Sequence, residues 1–141
     1  MSFHRLICSN CGVALTGAVT LLPPNSAESA GLVFEDAAPV TPAGTVFVST
    51  EPMQWSADGA NKPPLEFAPQ HWINPADVDM AVEPVADVRR LNGCCGLDGS
   101  DGPNMRCRNC GVEAGTRQSD CWTSDVFIAE PGQTHWIEVN T

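Results

Sequence analysis

Cys8-Ser-Asn-Cys11-Gly12-Val13 and Cys107-Arg-Asn-Cys110-Gly111-Val112 are two copies of one hexapeptide, Cys-x-Asn-Cys-Gly-Val, with 95 residues between Cys11 and Cys107. Two cysteines separated by two residues face a single ion when the turn joining them curls. Glycine directly after the second cysteine admits the left-handed backbone that such a turn requires. The N–H groups of the turn can then point at the sulfurs. Two copies supply four thiolates, the donor set zinc takes in tetrahedral structural sites. The repeat therefore predicts Cys8, Cys11, Cys107 and Cys110 around one Zn2+. Iron accepts the same four thiolates, so spacing alone does not separate the two metals. The competing reading, buried free cysteines, has to produce two matching hexapeptides by chance.

In form, each hexapeptide resembles a zinc-ribbon or rubredoxin-type knuckle, over about a dozen residues at each place. The resemblance implies a structural metal with no open coordination position. The spacing departs from that family, because ribbons commonly place ~15–20 residues between their pairs. The residues between the pairs then form an elaborate insertion, or else the pairs do not share a metal. Closing so long a loop costs only a few kcal/mol, since closure entropy grows with the logarithm of length. A thiolate zinc site offsets that cost. The aromatic and proline pattern of rubredoxin is not evident, which favours zinc over iron.

Three further cysteines stand in unusual text. Gly93-Cys94-Cys95-Gly96-Leu-Asp-Gly-Ser-Asp-Gly-Pro-Asn104 precedes the second knuckle, and Asp120-Cys121-Trp122 follows it. The stretch Gly93–Trp122 resembles a group of small, uncharacterised bacterial cysteine-rich proteins, a likeness that implies no known activity. Adjacent cysteines project in different directions and rarely chelate one ion together. One of these three could replace a knuckle cysteine, or Cys94 or Cys95 with Cys121 and a histidine could build a second site. The bland alternative is buried small hydrophobes. Asp98, Asp101 and Asn104 mimic the oxygen ligands of a calcium loop, but the closing bidentate Glu is missing. An Asp-Gly turn cluster capping backbone amides is the expectation there.

Charge and cysteine usage bound the class. The formal net charge is −10. Residues 12–88 hold ten Asp or Glu and a single base, Lys62. The other bases, Arg5, Arg89, Arg90, Arg106, Arg108 and Arg117, fall in or near the cysteine-bearing segments. A zinc with four thiolates is a dianion, so neighbouring guanidinium groups would lower the cost of assembling it. The alternative is ordinary solvated arginines. The acidic total argues against phosphate-driven nucleic-acid binding, which needs a basic face. An odd count of seven cysteines, with pairs at ligand spacing, points to metal in a reducing compartment rather than a disulfide framework. Residues 1–30 superficially combine a basic start with an apolar stretch. Cys8, Ser9, Asn10 and Cys11 interrupt that stretch, so a retained, cytoplasmic chain is expected. No stretch reaches the ~18–20 apolar residues that span a membrane.

The 141 residues suit one domain. Twelve prolines and twelve glycines favour short strands over long helices. Strands are expected at His4–Cys8, Gly12–Leu22, Leu32–Glu35, Thr45–Ser49 and His71–Ile73. Asn25–Gly31 reads as an exposed loop and Glu51–Gln70 as irregular. Ala76–Met80, capped by Asn74, and Val85–Leu91, ending at Asn92-Gly93, read as short helical turns. Asp125–Ala129 and Thr134–Val139 read as a hairpin turning at Pro131-Gly132. The expectation is a mostly β, zinc-ribbon-like single domain over 1–141. It has the first knuckle at 4–22, an acidic insertion at 23–92, the second knuckle at 93–122 and a hairpin at 125–139.

Three functional classes remain. The first is a structural zinc module whose acidic insertion binds another protein. The second is a small metal- or thiol-dependent enzyme built on Cys94, Cys95 or Cys121 with a histidine. His4, His71 and His135 each stand alone, without HxH or HExxH spacing, so no catalytic residue is assigned and the chain leans away from an enzyme. The third is a nucleic-acid-binding ribbon using the knuckle arginines. A dithiol redox centre would need a knuckle at the start of a helix in an α/β pattern, which the glycine-rich flanks oppose.

Overall fold

Val126–Ala129 is an uninterrupted apolar run, and a computed structural model describing residues 2–32, 34–53, 65–121 and 123–139 buries all four of its residues. Side chains on a strand alternate between its faces, so a run buried throughout must be covered on both. Phe127 and Ala129 pack on one face with Leu6, Val46, Ile73 and Met105. Val126 and Ile128 pack on the other with Val40, Met53, Leu65 and Trp72. Burying each such large side chain is worth roughly 1.5–3 kcal/mol.

Among the described residues the strands are β1 (Phe3–Cys8), β2 (Thr20–Leu22), β3 (Thr45–Ser49), β4 (Gln70–Ile73), β5 (Val82–Pro84), β6 (Met105–Cys107), β7 (Glu113–Gln118), β8 (Val126–Ala129) and β9 (Thr134–Val139). Seven form one sheet in the order β2-β3-β4-β8-β7-β6-β5, and β1 pairs with β9 in a separate ribbon. All pairings are antiparallel except β2–β3. Among the described residues helix is confined to α1 (Ala27–Ala30) and two 3₁₀ turns, Pro75–Asp77 and Val88–Arg90. The mostly β expectation holds, as does the cap at Asn74, whose side chain accepts from the Ala76 N–H at 3.0 Å.

Several expected elements differ. The C-terminal segments do not form a hairpin: β8 has β4 and β7 on its two edges, leaving none for β9. The ribbon edge of β1 takes β9 instead, from Phe3 opposite Val139 to Cys8 opposite Thr134. Gly12–Leu22 is a strand only at Thr20–Leu22. Ala14 and Val19 bridge to Ile7 and His4, but the chain between them is longer than the chain it faces. The excess loops out, and Thr16 Oγ1 accepts the Leu6 N–H at 3.0 Å in place of a ladder carbonyl. Asn25–Gly31 contains α1, capped by Ser26. Leu32, Phe34 and Glu35 are not in a strand, because β2 and β4 occupy both edges of β3. Phe34 rests edge-on against Trp72 at 5.6 Å instead. Val33, Trp122 and residues 54–64, which include Lys62 and most of the expected irregular stretch, lie outside the described residues. β5 and β6 are only three residues long and β7 carries no clean alternation, so the sequence offers no strand at any of the three.

Candidate metal centre

Both knuckles grow from strand ends. β1 finishes at Cys8 and β6 at Cys107, and these two cysteines are core residues, 0% and 1% exposed. The turns that follow are near copies. The Gly12 N–H bonds the Cys8 carbonyl and the Gly111 N–H bonds the Cys107 carbonyl, both at 2.8 Å. Cys8 and Cys107 donate to the carbonyls of Val13 and Val112, both at 2.9 Å. Gly12 and Gly111 have φ of 80° and 84°, so the glycine in each hexapeptide is there for a left-handed residue. The turn returns the chain along its strand and leaves Cys11 and Cys110 at the half-buried rim.

The four sulfurs converge across 95 residues of sequence, all within 4.8 Å of one another. Cys8 Sγ lies 3.5 Å from Cys110 Sγ, and Cys11 Sγ lies 3.8 Å from Cys107 Sγ. A zinc–sulfur bond of about 2.3 Å requires sulfur–sulfur edges of about 3.8 Å in a tetrahedron. The residues present therefore fit a four-thiolate metal. The group can hold a metal ion, and it joins the β1–β9 ribbon to the main sheet at the β6 end.

The electrostatics divide the four thiols by depth. Burial pushes Cys8 up to about 12 and raises Cys107. Each also receives two backbone N–H groups from its own turn, Asn10 and Cys11 for Cys8, Asn109 and Cys110 for Cys107. The rim thiols shift the other way. The Val112 N–H and the Asn10 side chain bring Cys110 down to about 6. The Asn109 side chain and the Val13 N–H lower Cys11. Each knuckle's asparagine thus reaches across to the other knuckle's rim sulfur. These two asparagines went unassigned in the sequence, although Asn is the one residue besides Cys, Gly and Val that both copies share.

Five of the six arginines in or near the cysteine-bearing segments have oxygen partners. Arg89 and Arg90 pair with Asp87, and Arg90 also with Glu113; Arg106 pairs with Glu83, and Arg117 with Asp79 and Asp125. Arg108 donates to the carbonyls of Val82 and Asp79. Carboxylates and carbonyls claim these guanidinium groups, while amides serve the sulfurs.

Cys94, Cys95 and Cys121 form a separate group, exposed, with their sulfurs within 4.8 Å of one another. The expectation that adjacent cysteines diverge fails here, and Asp120 is the reason. Its carboxylate accepts the N–H groups of Cys94 at 2.9 Å, Cys95 at 2.9 Å and Cys121 at 2.7 Å. Turning two successive amides onto one anion curls the chain, and the curl gathers the thiols. Asp120 is itself fully buried, with its N–H bonded to Thr123 Oγ1 at 3.1 Å. The three N–H donors hold its carboxyl well below the usual carboxylate range. Gly96 permits the close approach, since a Cβ there would collide with the Ser119 carbonyl. Cys95 beside it pushes Cys94 up, and pushes Cys121 up to about 12.

Among the described residues no histidine joins either group of thiols. His135 Nδ1 meets Ser9 Oγ at 2.8 Å, and His71 lies against Trp136 at 5.3 Å, where burial lowers its pKa. The Asp-Gly loop is a turn cluster, as expected. Asp98 accepts from the Ser100 N–H and hydroxyl, and Asp101 pairs with Asn92. Asn104 lies fully buried, bonded to the backbone of Arg117 through both ends of its amide. No helix among the described residues is long and apolar enough to cross a membrane. Comparison of the chain with protein-family models, curated proteins and solved structures gave no match.

Proposed function

We propose that the protein is a zinc-binding module whose metal is structural. Cys8, Cys11, Cys107 and Cys110 would hold it, and its bound form supplies a cross-link between β1 and β6. The observation that carries this reading is the convergence of four sulfurs within 4.8 Å of one another, a spread that admits a tetrahedral ion. The N–H groups aimed at each sulfur support it further, because hydrogen bonds to a thiolate favour the charged form. Four thiolates leave zinc no open position, so the chain's own residues position and shield rather than react. Zinc suits the set better than iron, whose redox chemistry finds no further support in the chain. Cysteines at ligand spacing suit a reducing compartment such as the cytoplasm.

The acting surface in this reading belongs to the acidic insertion. Glu28, Glu35, Asp36, Glu51, Glu66 and Asp79 are all exposed, which favours a protein partner with a basic face and disfavours nucleic acid. The test of the metal is elemental analysis of a C94S/C95S/C121S chain, which keeps only the four-thiol group. About one zinc per chain is expected, with loss of cooperative folding on chelation. A folded, metal-free chain overturns the reading.

A further inference from the structure

We propose that Cys94, Cys95 and Cys121 are a second metal site, an exposed three-thiol cradle for a soft d10 cation, zinc or monovalent copper. The proposal goes beyond the structural zinc and shares no ligand with it. Its first support is convergence from two distant segments. The sulfurs of Cys94 and Cys95 meet that of Cys121 within 4.8 Å, although 25 residues lie between Cys95 and Cys121. At a metal–sulfur bond of about 2.3 Å, three sulfurs sit about 3.8 Å apart on a tetrahedral face and about 4.0 Å apart around a trigonal ion. Both spacings fall inside the observed limit.

The second support is how the cradle is built. A carboxylate near three thiols would ordinarily compete as a ligand, but both Asp120 oxygens are already occupied by the cysteines' own N–H groups. Asp120 therefore acts as a positioning residue: it fixes the backbone that carries the sulfurs and leaves the donor set all-sulfur. The two segments are stapled independently of Asp120. The Ser119 N–H bonds the Leu97 carbonyl at 2.7 Å, and the Leu97 N–H bonds Ser119 Oγ at 3.2 Å. An arrangement needed only for packing would bury its thiols, yet all three cysteines are exposed while the carboxylate that organises them is fully buried.

All-thiolate donor sets select zinc and monovalent copper over harder ions. Neighbouring thiols oppose one another's ionisation, so a cation is what allows the three to ionise together. Each thiol that binds loses its proton to solvent, and no electron is transferred. Copper would be complete with three sulfurs. Zinc would retain a fourth position for an outside ligand, because the cradle faces solvent.

The experiment uses the full reduced chain, loaded with zinc and then titrated separately with Zn2+ and with Cu+ under inert gas, with all bound metal counted, that taken up on loading included. The wild type is expected to take about one equivalent more of at least one ion than C94S/C95S/C121S takes. Asp120→Asn, which keeps all three thiols, is expected to weaken that extra binding about tenfold or more. Uptake of Zn2+ together with a small exogenous thiol assigns the open zinc form; uptake of Cu+ alone assigns the closed trigonal form. A second measurement needs no variant: the bound ion should protect Cys94, Cys95 and Cys121 from alkylation, mapped by mass spectrometry. Equal uptake by wild type and the triple variant, or unprotected thiols at saturating metal, overturns the proposal. Because the count is a difference between two chains, it stands apart from whether the four-thiol group holds its own zinc.

Discussion

Cys8, Cys11, Cys107 and Cys110 meet where two strands end, with two of the four inside the core, whereas Cys94, Cys95 and Cys121 meet between two loop segments and are exposed. The same side chain is positioned by opposite means. In the four-thiol group the sulfurs are served directly by backbone and asparagine N–H groups. In the three-thiol group the N–H groups turn away to a buried carboxylate, and the sulfurs are left to solvent. The first arrangement ties strands together. The second presents thiols outward. The lesson is that clustering alone does not define a role; what the surrounding amides point at does.

If the four-thiol group is the structural one, removing a thiol there should outweigh any change in the loop. Cys107→Ser should abolish metal retention and with it the cooperative melting transition, a cost of at least about 4 kcal/mol. Removing the exposed trio together should leave the melting curve nearly in place. Equal losses for the two regions would break the comparison. Differential scanning calorimetry on both variants decides it.

Phe127 sets the scale of the core against which the metal is measured. Phe127→Ala should cost about 3–5 kcal/mol in urea denaturation of the metal-bound chain, and the folded variant should keep its metal. A loss of metal together with the loss of stability would mean that the four-thiol group and the core are not independent.

The cross-reaching asparagines offer a finer test. Asn10→Ala and Asn109→Ala should each weaken metal affinity about tenfold, as lost hydrogen bonds around metal ligands commonly do. Their effects should match, because each amide serves the opposite knuckle's rim sulfur. Competition with a chromophoric chelator measures both, and a marked inequality would show that the two knuckles are alike only in sequence.

The smallest effect concerns pH. Asp120 has a folded value depressed below 3.8 by its three N–H donors. For a carboxyl depressed on folding, the stabilisation is fully present above the unfolded value and is lost as pH falls through the folded one. The advantage of wild type over Asp120→Asn should therefore be constant above about pH 5 and shrink below about pH 4. Chemical denaturation across that range checks it, and an advantage that grew on acidification would contradict the sign.

Much of the four-thiol group was legible because its information is local. Cysteine spacing and the glycine at the following position dictate one turn, and the turn recurs wherever the hexapeptide does. Asn74 as a cap was legible for the same reason: its side chain acts on an amide two residues away. The three-thiol group was legible only in part: the sequence offered Cys121 with one of Cys94 and Cys95, plus a histidine, and not all three thiols together. Cys94 and Cys95 read as divergent until Asp120, which lies 25 residues beyond Cys95, supplies the anion that curls them together. The oxygen partners of the arginines were not legible either, because charge near thiolates in sequence says nothing of carboxylates brought close in space.

The sequence by itself determined the mostly β character, the two knuckle turns and the residues able to ligate a metal, since each follows from conformational preferences over a few residues. Tertiary structure decided which edges pair and which thiols meet. Thr134–Val139 could have closed a hairpin on Val126–Ala129 by proximity. It pairs with Phe3–Cys8 because β8, buried on both faces, has both edges taken by β4 and β7. Competition for strand edges and for burial is settled by the whole chain at once, and no window of sequence contains it.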